Sequence, residues 1–305
     1  MARNAPSLAA QGKQRRREPL TLLVAFVIYG GWLALTYWHD ALPLPVLAVL
    51  GGLIVAWHGS LQHETIHGHP TGNQAIDGAI GFVPLALWLP YPIYRASHLA
   101  HHATGEATDP EADPESHYRA EARGWGYRLA RIEAPLWARL TLGPPIRIGR
   151  FLVAELRRAR SEPGAWLRDW LPHLAALVPV LWWLSHVELS LGTYLVAFVY
   201  PGTALTLLRS FAEHHADADP RRRAAIVTRG GVFGLLFLNN NLHAVHHARP
   251  DLAWYRLPAF FEANRAAFAA APTYASYGEV VRRYAWRPQD GVVHPRYRRS
   301  ARAAA

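Results

Sequence analysis

The chain has 305 residues, enough for one large domain or two small ones, and no cysteine, which excludes disulfides, thiolate metal sites and a ligated iron–sulfur cluster. Its composition is 51% hydrophobic with 12 Trp and 13 Tyr, and its formal net charge is +10. The aromatics lie in apolar runs and are not interleaved with arginines, so the basic charge points to a membrane protein and away from nucleic acid as a partner.

Residues 1–19 carry Lys13, Arg15, Arg16 and Arg17 and read as a disordered basic tail. The apolar run that follows is too long for a signal peptide and has no clear cleavage site. It defines a first span over 20–38, sufficient for a hydrocarbon core of roughly 30 Å, with Tyr37 and Trp38 placed for an interfacial aromatic belt. A turn at His39 and Asp40 leads into a second span over 42–57, and a helix continuing past Trp57 would carry His63 and His67 just beyond the membrane interface. The stretch 75–93 is apolar but holds Pro84, Pro90 and Pro92, and reads as a re-entrant or interfacial hairpin.

Residues 103–168 are polar and arginine-rich, with helices expected around 125–140 and 147–160. A second apolar pair follows over 170–187 and 189–208, then a short buried or interfacial helix over 230–238. Residues 259–305 read as a C-terminal cap and tail. No Lys or Arg occurs from Glu18 to Tyr94 or from Asp169 to Leu208, so all 32 basic residues lie outside the two apolar blocks. If each block crosses and returns, every positive charge falls on one side, which the positive-inside rule makes the cytoplasm. The expected fold is an all-α membrane protein of two transmembrane helical hairpins, about four spans, beneath a cytoplasmic helical cap.

Three histidine clusters each follow an apolar segment: His63-Glu-Thr-Ile-His67, His98-Leu-Ala-His101-His102 and His243-Ala-Val-His246-His247. Residues three and four apart share a helix face, so each cluster aims two or three imidazoles at one point. Imidazole suits iron, zinc, copper and nickel, and eight imidazoles exceed one tetrahedral site but match two metals. Two other readings use part of the pattern. His63-Glu64-x-x-His67 fits the H-E-x-x-H motif of a membrane zinc metalloprotease, which leaves the other two clusters unexplained. A metal transporter should place its ligands at the membrane midplane, whereas these lie beyond the apolar blocks.

The three boxes, in this order and flanked by apolar hairpins, resemble the membrane fatty acid desaturase family, which also includes alkane hydroxylases and carotenoid ketolases. The resemblance runs from about Leu20 to Pro258. The stretches Thr108–Ser116, Asn239–His243 and Trp254–Pro258 are similar to bacterial acyl-lipid desaturases. It implies an O₂-dependent oxidoreductase of the bacterial inner membrane, with both termini and the metal site cytoplasmic, that introduces a double bond into an acyl chain, or the related hydroxylation or ketolation. It further implies two irons held by His63, His67, His98, His101, His102, His214, His243, His246 and His247. His214 enters because family members carry one more histidine at the cytoplasmic end of the last span, and its neighbour His215 is a weaker candidate. With no iron–sulfur or dinucleotide motif of its own, the chain would draw electrons from a ferredoxin, rubredoxin or cytochrome partner. Ring nitrogens turned away from the metals need partners; the nearest candidates in sequence are Glu64, Glu106, Asp109, Asp113, Glu213 and Asn239–Asn241. Trp88, Tyr91 and Tyr94 are expected to line an acyl tunnel. His39, His173, His186 and His294 have no expected metal role, and His58, His69 and His117 are candidates only as neighbours of the ligands.

Overall fold

The computed structural model describes residues 18–298. The sequence-predicted tail up to Arg17 and the last residues of the chain lie outside them. Helix α1 (Pro19–Tyr37) opens with proline at its first position, where the missing N–H costs nothing. A 3-10 turn at His39–Ala41 separates it from α2 (Leu44–Ile66). Helix α2 is longer than the span expected from composition: it continues unbroken past Trp57, so His63 lies within it and His67 caps it. Helix α3 (Gln74–Gly81) is capped by Asn73, and an irregular stretch then leads to α4 (Tyr91–Ala103). The polar middle forms α5 (Gly124–Ile132), α6 (Leu136–Thr141) and α7 (Gly143–Ser161), with Pro135 separating the first two. Helix α8 (Pro163–His186) precedes α9 (Leu191–Tyr194), which runs through a π turn at Leu195–Val199 into α10 (Tyr200–Glu213).

Helix α2 is the centre of the fold, packed by α1, α3 and α10. Glycines set the close crossing with α10. A Cβ on Gly51 would stand 2.6 Å from the Ala197 carbonyl oxygen, and one on Gly202 would stand 2.6 Å from Val55 Cγ1. Small residues of this kind let helices associate by backbone contact where lipid removes the hydrophobic drive. Polar bonds tie the same bundle together: Trp32 Nε1 donates to the Tyr194 hydroxyl at 2.9 Å, which donates to the Leu85 carbonyl at 2.7 Å.

Among the described residues, three helical stretches are long and apolar enough to cross a membrane: Pro19–Tyr37, Leu44–Ile66 and Leu191–Glu213. The expected span at 170–187 falls in α8, which stands apart from these three. It carries Arg168 and Asp169 and is interrupted by Pro172 and Pro179, each of which removes a backbone donor. Even so, Leu167, Leu171, Leu174, Val178 and Leu181 form an exposed apolar stripe along it.

The all-α expectation needs one correction. The chain is mostly helical, but β1 (Ile226–Arg229) pairs in parallel with β2 (Thr273–Ser276), Val227 opposite Tyr274. The apolar stretch expected as a helix over 230–238 yields only α11 (Val232–Leu236), because Leu238 and Asn239 take positive φ values of 49° and 54° and turn the chain. Helices α12 (His243–Ala248), α13 (Leu257–Asn264) and α14 (Tyr277–Tyr284) complete the cap.

Candidate metal centre

Four pieces of chain deliver the histidines. The end of α2 supplies His63 and His67, α4 supplies His98, His101 and His102, the residue capping α10 is His214, and α12 supplies His243, His246 and His247. The nine fall into two groups. One is His63, His67, His98, His102 and His246; the other is His101, His214, His243 and His247. Within each group one ring nitrogen per residue lies within 4.8 Å of all the others. The groups adjoin, since the His102 ring stacks on His247 with centroids 4.4 Å apart.

The inward nitrogens crowd. Nε2 of His67 is 3.0 Å from Nε2 of His98, Nε2 of His246 is 3.2 Å from that of His102, Nε2 of His101 is 3.2 Å from that of His247, and Nε2 of His243 is 2.9 Å from that of His214. The outward nitrogens decide what these contacts mean. His214 Nδ1 lies 3.2 Å from the Arg223 carbonyl oxygen, which can only accept, so Nδ1 carries the hydrogen. His243 Nδ1 lies 3.2 Å from Asn240 Oδ1, and that amide is oriented by its Nδ2, which donates to Glu213 at 2.6 Å. Both rings therefore present a bare lone pair at Nε2, and the two lone pairs face each other. Neutral side chains repel in that arrangement, and a shared cation resolves it. The donor set fits a metal pair of borderline softness.

Electrostatics keep most of these rings neutral. Burial first, then the charges of neighbouring rings, lowers His67 to about 2 and His102 to about 3. Burial with His101 beside it lowers His214 to about 3. Burial and their neighbours likewise hold His243, His246 and His247 well below the usual imidazole range. His101 differs. Burial pulls it down, but its Nδ1–H bond to Asp113 Oδ1 at 2.8 Å outweighs this and its pKa is raised. The same bond leaves Nε2 as the atom that takes a second cation, proton or metal.

The sequence candidates for orienting partners divide. Asp113 bonds His101, Asn240 bonds His243, and Glu213 supports Asn240 while lying 3.7 Å from His243 Nδ1. Glu64 stands with one oxygen 3.7 Å from His63 Nδ1 and accepts the Trp254 N–H with the other at 3.3 Å. Two candidates are corrected. Asp109 accepts the N–H groups of Glu111 and Ala112 and bonds Arg296 and Tyr297; it builds the loop that presents Asp113. Asn239 donates to the Trp254 carbonyl. Glu106 pairs with Arg223 and Arg296, and Asn241 donates to the Val227 carbonyl.

Sequence reasoning missed Glu115, whose Oε2 accepts from His98 Nδ1 at 3.2 Å. It also missed the Arg223 carbonyl on His214. A signal for Glu115 lay in the Asp-Pro-Glu triplet, because Asp113 Oδ1 accepts the Glu115 N–H at 2.8 Å and folds the triplet back onto α4. His215 turns away to Tyr274 and Asp290, His69 bonds Glu18, and His117 bonds Arg147. His58 is buried against Tyr29. None of these four belongs to either group.

A cavity of roughly 510 Å³ opens beside the histidines. Val55, Pro84, Ala86, Trp88, Leu89 and Phe151 give its lining an apolar part, and His98, His101, His214 and His243 line it too, so both groups reach it. Trp88 and Tyr94 line it. Tyr91 does not: its hydroxyl lies 3.0 Å from Thr65 Oγ1, and a Cβ on Gly81 would stand 2.8 Å from its ring, which wedges it between α2 and α3.

No curated protein matches the chain. A family model described as fatty acid desaturase matches residues 41–279, a range that holds all nine histidines and the wall of the cavity. The match covers most of the sequence and agrees with the three apolar helices and the paired histidine groups; the chain belongs to the fatty acid desaturase family, whose members are membrane oxidoreductases of the diiron desaturase and hydroxylase type.

Proposed function

We propose that the chain is an O₂-dependent diiron fatty acid desaturase that introduces a double bond into an acyl chain, crossing the membrane four times with its termini and metal site in the cytoplasm. The observation that carries this reading is a cavity lined both by apolar side chains and by histidines of both groups. A saturated chain suits the apolar wall, and its carbons would lie against His98, His101, His214 and His243. The absence of Lys and Arg from both apolar blocks supports the orientation, and the exposed stripe on α8 supports a fourth, lipid-facing crossing.

One iron would be held by His63, His67, His98, His102 and His246, and the other by His101, His214, His243 and His247. With O₂ and two electrons from an external ferredoxin, rubredoxin or cytochrome, the pair would supply the oxidising power that an unactivated C–H bond demands. The protein's own part is positioning. Asp113, Glu115, Asn240 and the Arg223 carbonyl engage the outward nitrogens of His101, His98, His243 and His214 and aim the rings inward. The Arg209 guanidinium lies 3.2 Å from the Glu213 carboxylate, and the same oxygen accepts from Asn240 Nδ2. The apolar wall excludes water from the reacting carbons.

Expression in a host supplied with iron and reductant, followed by mass spectrometry of fatty acid methyl esters, tests the proposal. A new double bond that disappears in His246→Ala supports it. A new hydroxyl or keto group moves the chain to another branch of the family. No new double bond or oxygen in any lipid refutes it.

A further inference from the structure

Helix α7 places Arg147, Arg150 and Phe151 on one face, three and four residues apart, and all three line the cavity. Phe151 meets Trp88 edge-on with ring centroids 5.3 Å apart, so the positive region and the apolar wall are continuous. Arg147 is partly occupied. Its Nε donates to Glu133 at 2.9 Å and its Nη1 donates to His117 Nδ1 at 2.8 Å. Arg150 has no hydrogen bond or ion pair among the described residues, although it is only partly exposed. Burial first, then the charge of Arg147, pulls its pKa below the usual guanidinium range, against an opposing pull from Glu133.

The carboxylates that line the cavity are engaged elsewhere: Glu115 by His98, and Glu213 by Arg209. Glu133, outside the cavity lining, bonds Arg147 through its carboxylate, while Arg139 Nε donates to its backbone carbonyl at 3.2 Å. A guanidinium on a cavity wall with no carboxylate of its own is suited to an anion arriving with the ligand.

We propose that Arg150, with Arg147 beside it, binds the anionic end of the acyl substrate, a carboxylate or the phosphate of its carrier, and so holds one end of the chain while the rest lies along the apolar wall. This rests on the acyl-chain reading of the cavity. A surface arginine placed only by membrane orientation would be indifferent to the charge of a bound ligand, and that difference is measurable.

The test is equilibrium binding of three radiolabelled probes to the purified full-length protein: stearate, octadecyl phosphate and octadecanol. The expected result is that at least one anion binds about tenfold or more tightly than the alcohol, the scale of one charge-assisted hydrogen bond. Preference for stearate identifies a carboxylate end, and preference for octadecyl phosphate identifies a phosphate-bearing carrier. Arg150→Gln should bring the preferred anion to within about threefold of the alcohol, while alcohol binding stays unchanged and Arg150→Lys retains most of the preference. Arg168→Gln, on an exposed side chain outside the cavity, should change nothing. Equal binding of all three probes, equal losses for all three in Arg150→Gln, or the same loss in Arg168→Gln overturns the anion site while leaving the acyl reading intact. No binding of any probe removes the acyl reading, and this inference with it.

Discussion

Asp113→Asn is the sharpest perturbation of the candidate metal centre, because it changes one charge and almost no volume. Asp113 is buried and makes three short bonds: to His101 Nδ1 at 2.8 Å and Thr108 N at 2.7 Å, and from Oδ1 again to the Glu115 N–H at 2.8 Å. An asparagine can keep its oxygen toward His101 and Glu115, but its amide N–H₂ then faces the Thr108 N–H, donor against donor. Flipped, it offers N–H₂ to His101 Nδ1, which favours the tautomer protonated on Nε2 and removes that nitrogen as a ligand. Either arrangement loses one charge-assisted bond and the tautomer lock. Loss of such an outer partner weakens metal binding about 10–100-fold, equivalent to about 1.4–2.7 kcal/mol. The assay is iron content per chain after dialysis against graded chelator concentrations, with circular dichroism as a check on folding. The variant should lose one iron at a chelator concentration about 10–100-fold below that needed for the wild type, and the second iron later. A folded variant that retains both irons at the wild-type midpoint refutes the assignment of Asp113 as the orienting partner of His101.

Three further outcomes follow from the geometry. Gly202→Val should abolish accumulation of folded protein in the membrane, or cost more than about 3 kcal/mol in thermal unfolding, because its Cβ would stand 2.6 Å from Val55 Cγ1 at the α2–α10 crossing; unchanged expression and melting temperature would count against that crossing. Gly59→Leu should shorten the chains the enzyme accepts while iron content stays normal, since Gly59 lines the cavity and a Cβ added there would stand 3.8 Å from Thr206 Oγ1, and product chain lengths read by mass spectrometry check this. Asp109 sits in the loop that presents Asp113. Burial raises its pKa, but the Glu111 N–H and the bonds from Arg296 and Tyr297 outweigh it and lower the pKa from 3.8 to about 2. A depressed carboxylate stabilises the folded state above its unfolded pKa and loses that contribution as pH falls through the folded value. The wild type should therefore lose on the order of 1–2 kcal/mol between pH 4 and pH 2 that Asp109→Asn lacks at every pH, which pH-dependent denaturation measures.

The histidine groups were legible because their information is local. Each box is a helix-face pattern, and the structure gathers all nine residues named from the sequence into two sets. The partition between sets was not legible. His101 and His102 are adjacent in sequence yet fall in different groups, because neighbouring residues on α4 point about 100° apart. Proximity in sequence also misjudged the partners. Asp109 is eight residues from His101 but its carboxylate is taken by Arg296 and Tyr297, whereas Glu115, 17 residues from His98, is folded onto it by the Asp113 turn. Tyr91 and Tyr94 lie on α4 about 60° apart, enough for Tyr94 to face the cavity while Tyr91 is wedged against Gly81. Composition alone marked 170–187 as a span; the flanking Arg168 and Asp169 and the two inner prolines of α8 set it apart from the other three helices.

The distances that the histidine contacts cross in the chain have a consequence for synthesis. His101 meets His247 across 146 residues, and His102 meets His246 across 144. Each set includes residues from α12, so neither is complete until that helix has left the ribosome. By then α1, α2 and the stretch from Leu191 to Glu213 are already made and available to the bilayer. Before α12 emerges, one group has four of its five histidines and the other has two of its four. The order of the helices along the chain therefore places completion of both groups in one late step, after all three apolar stretches have been made.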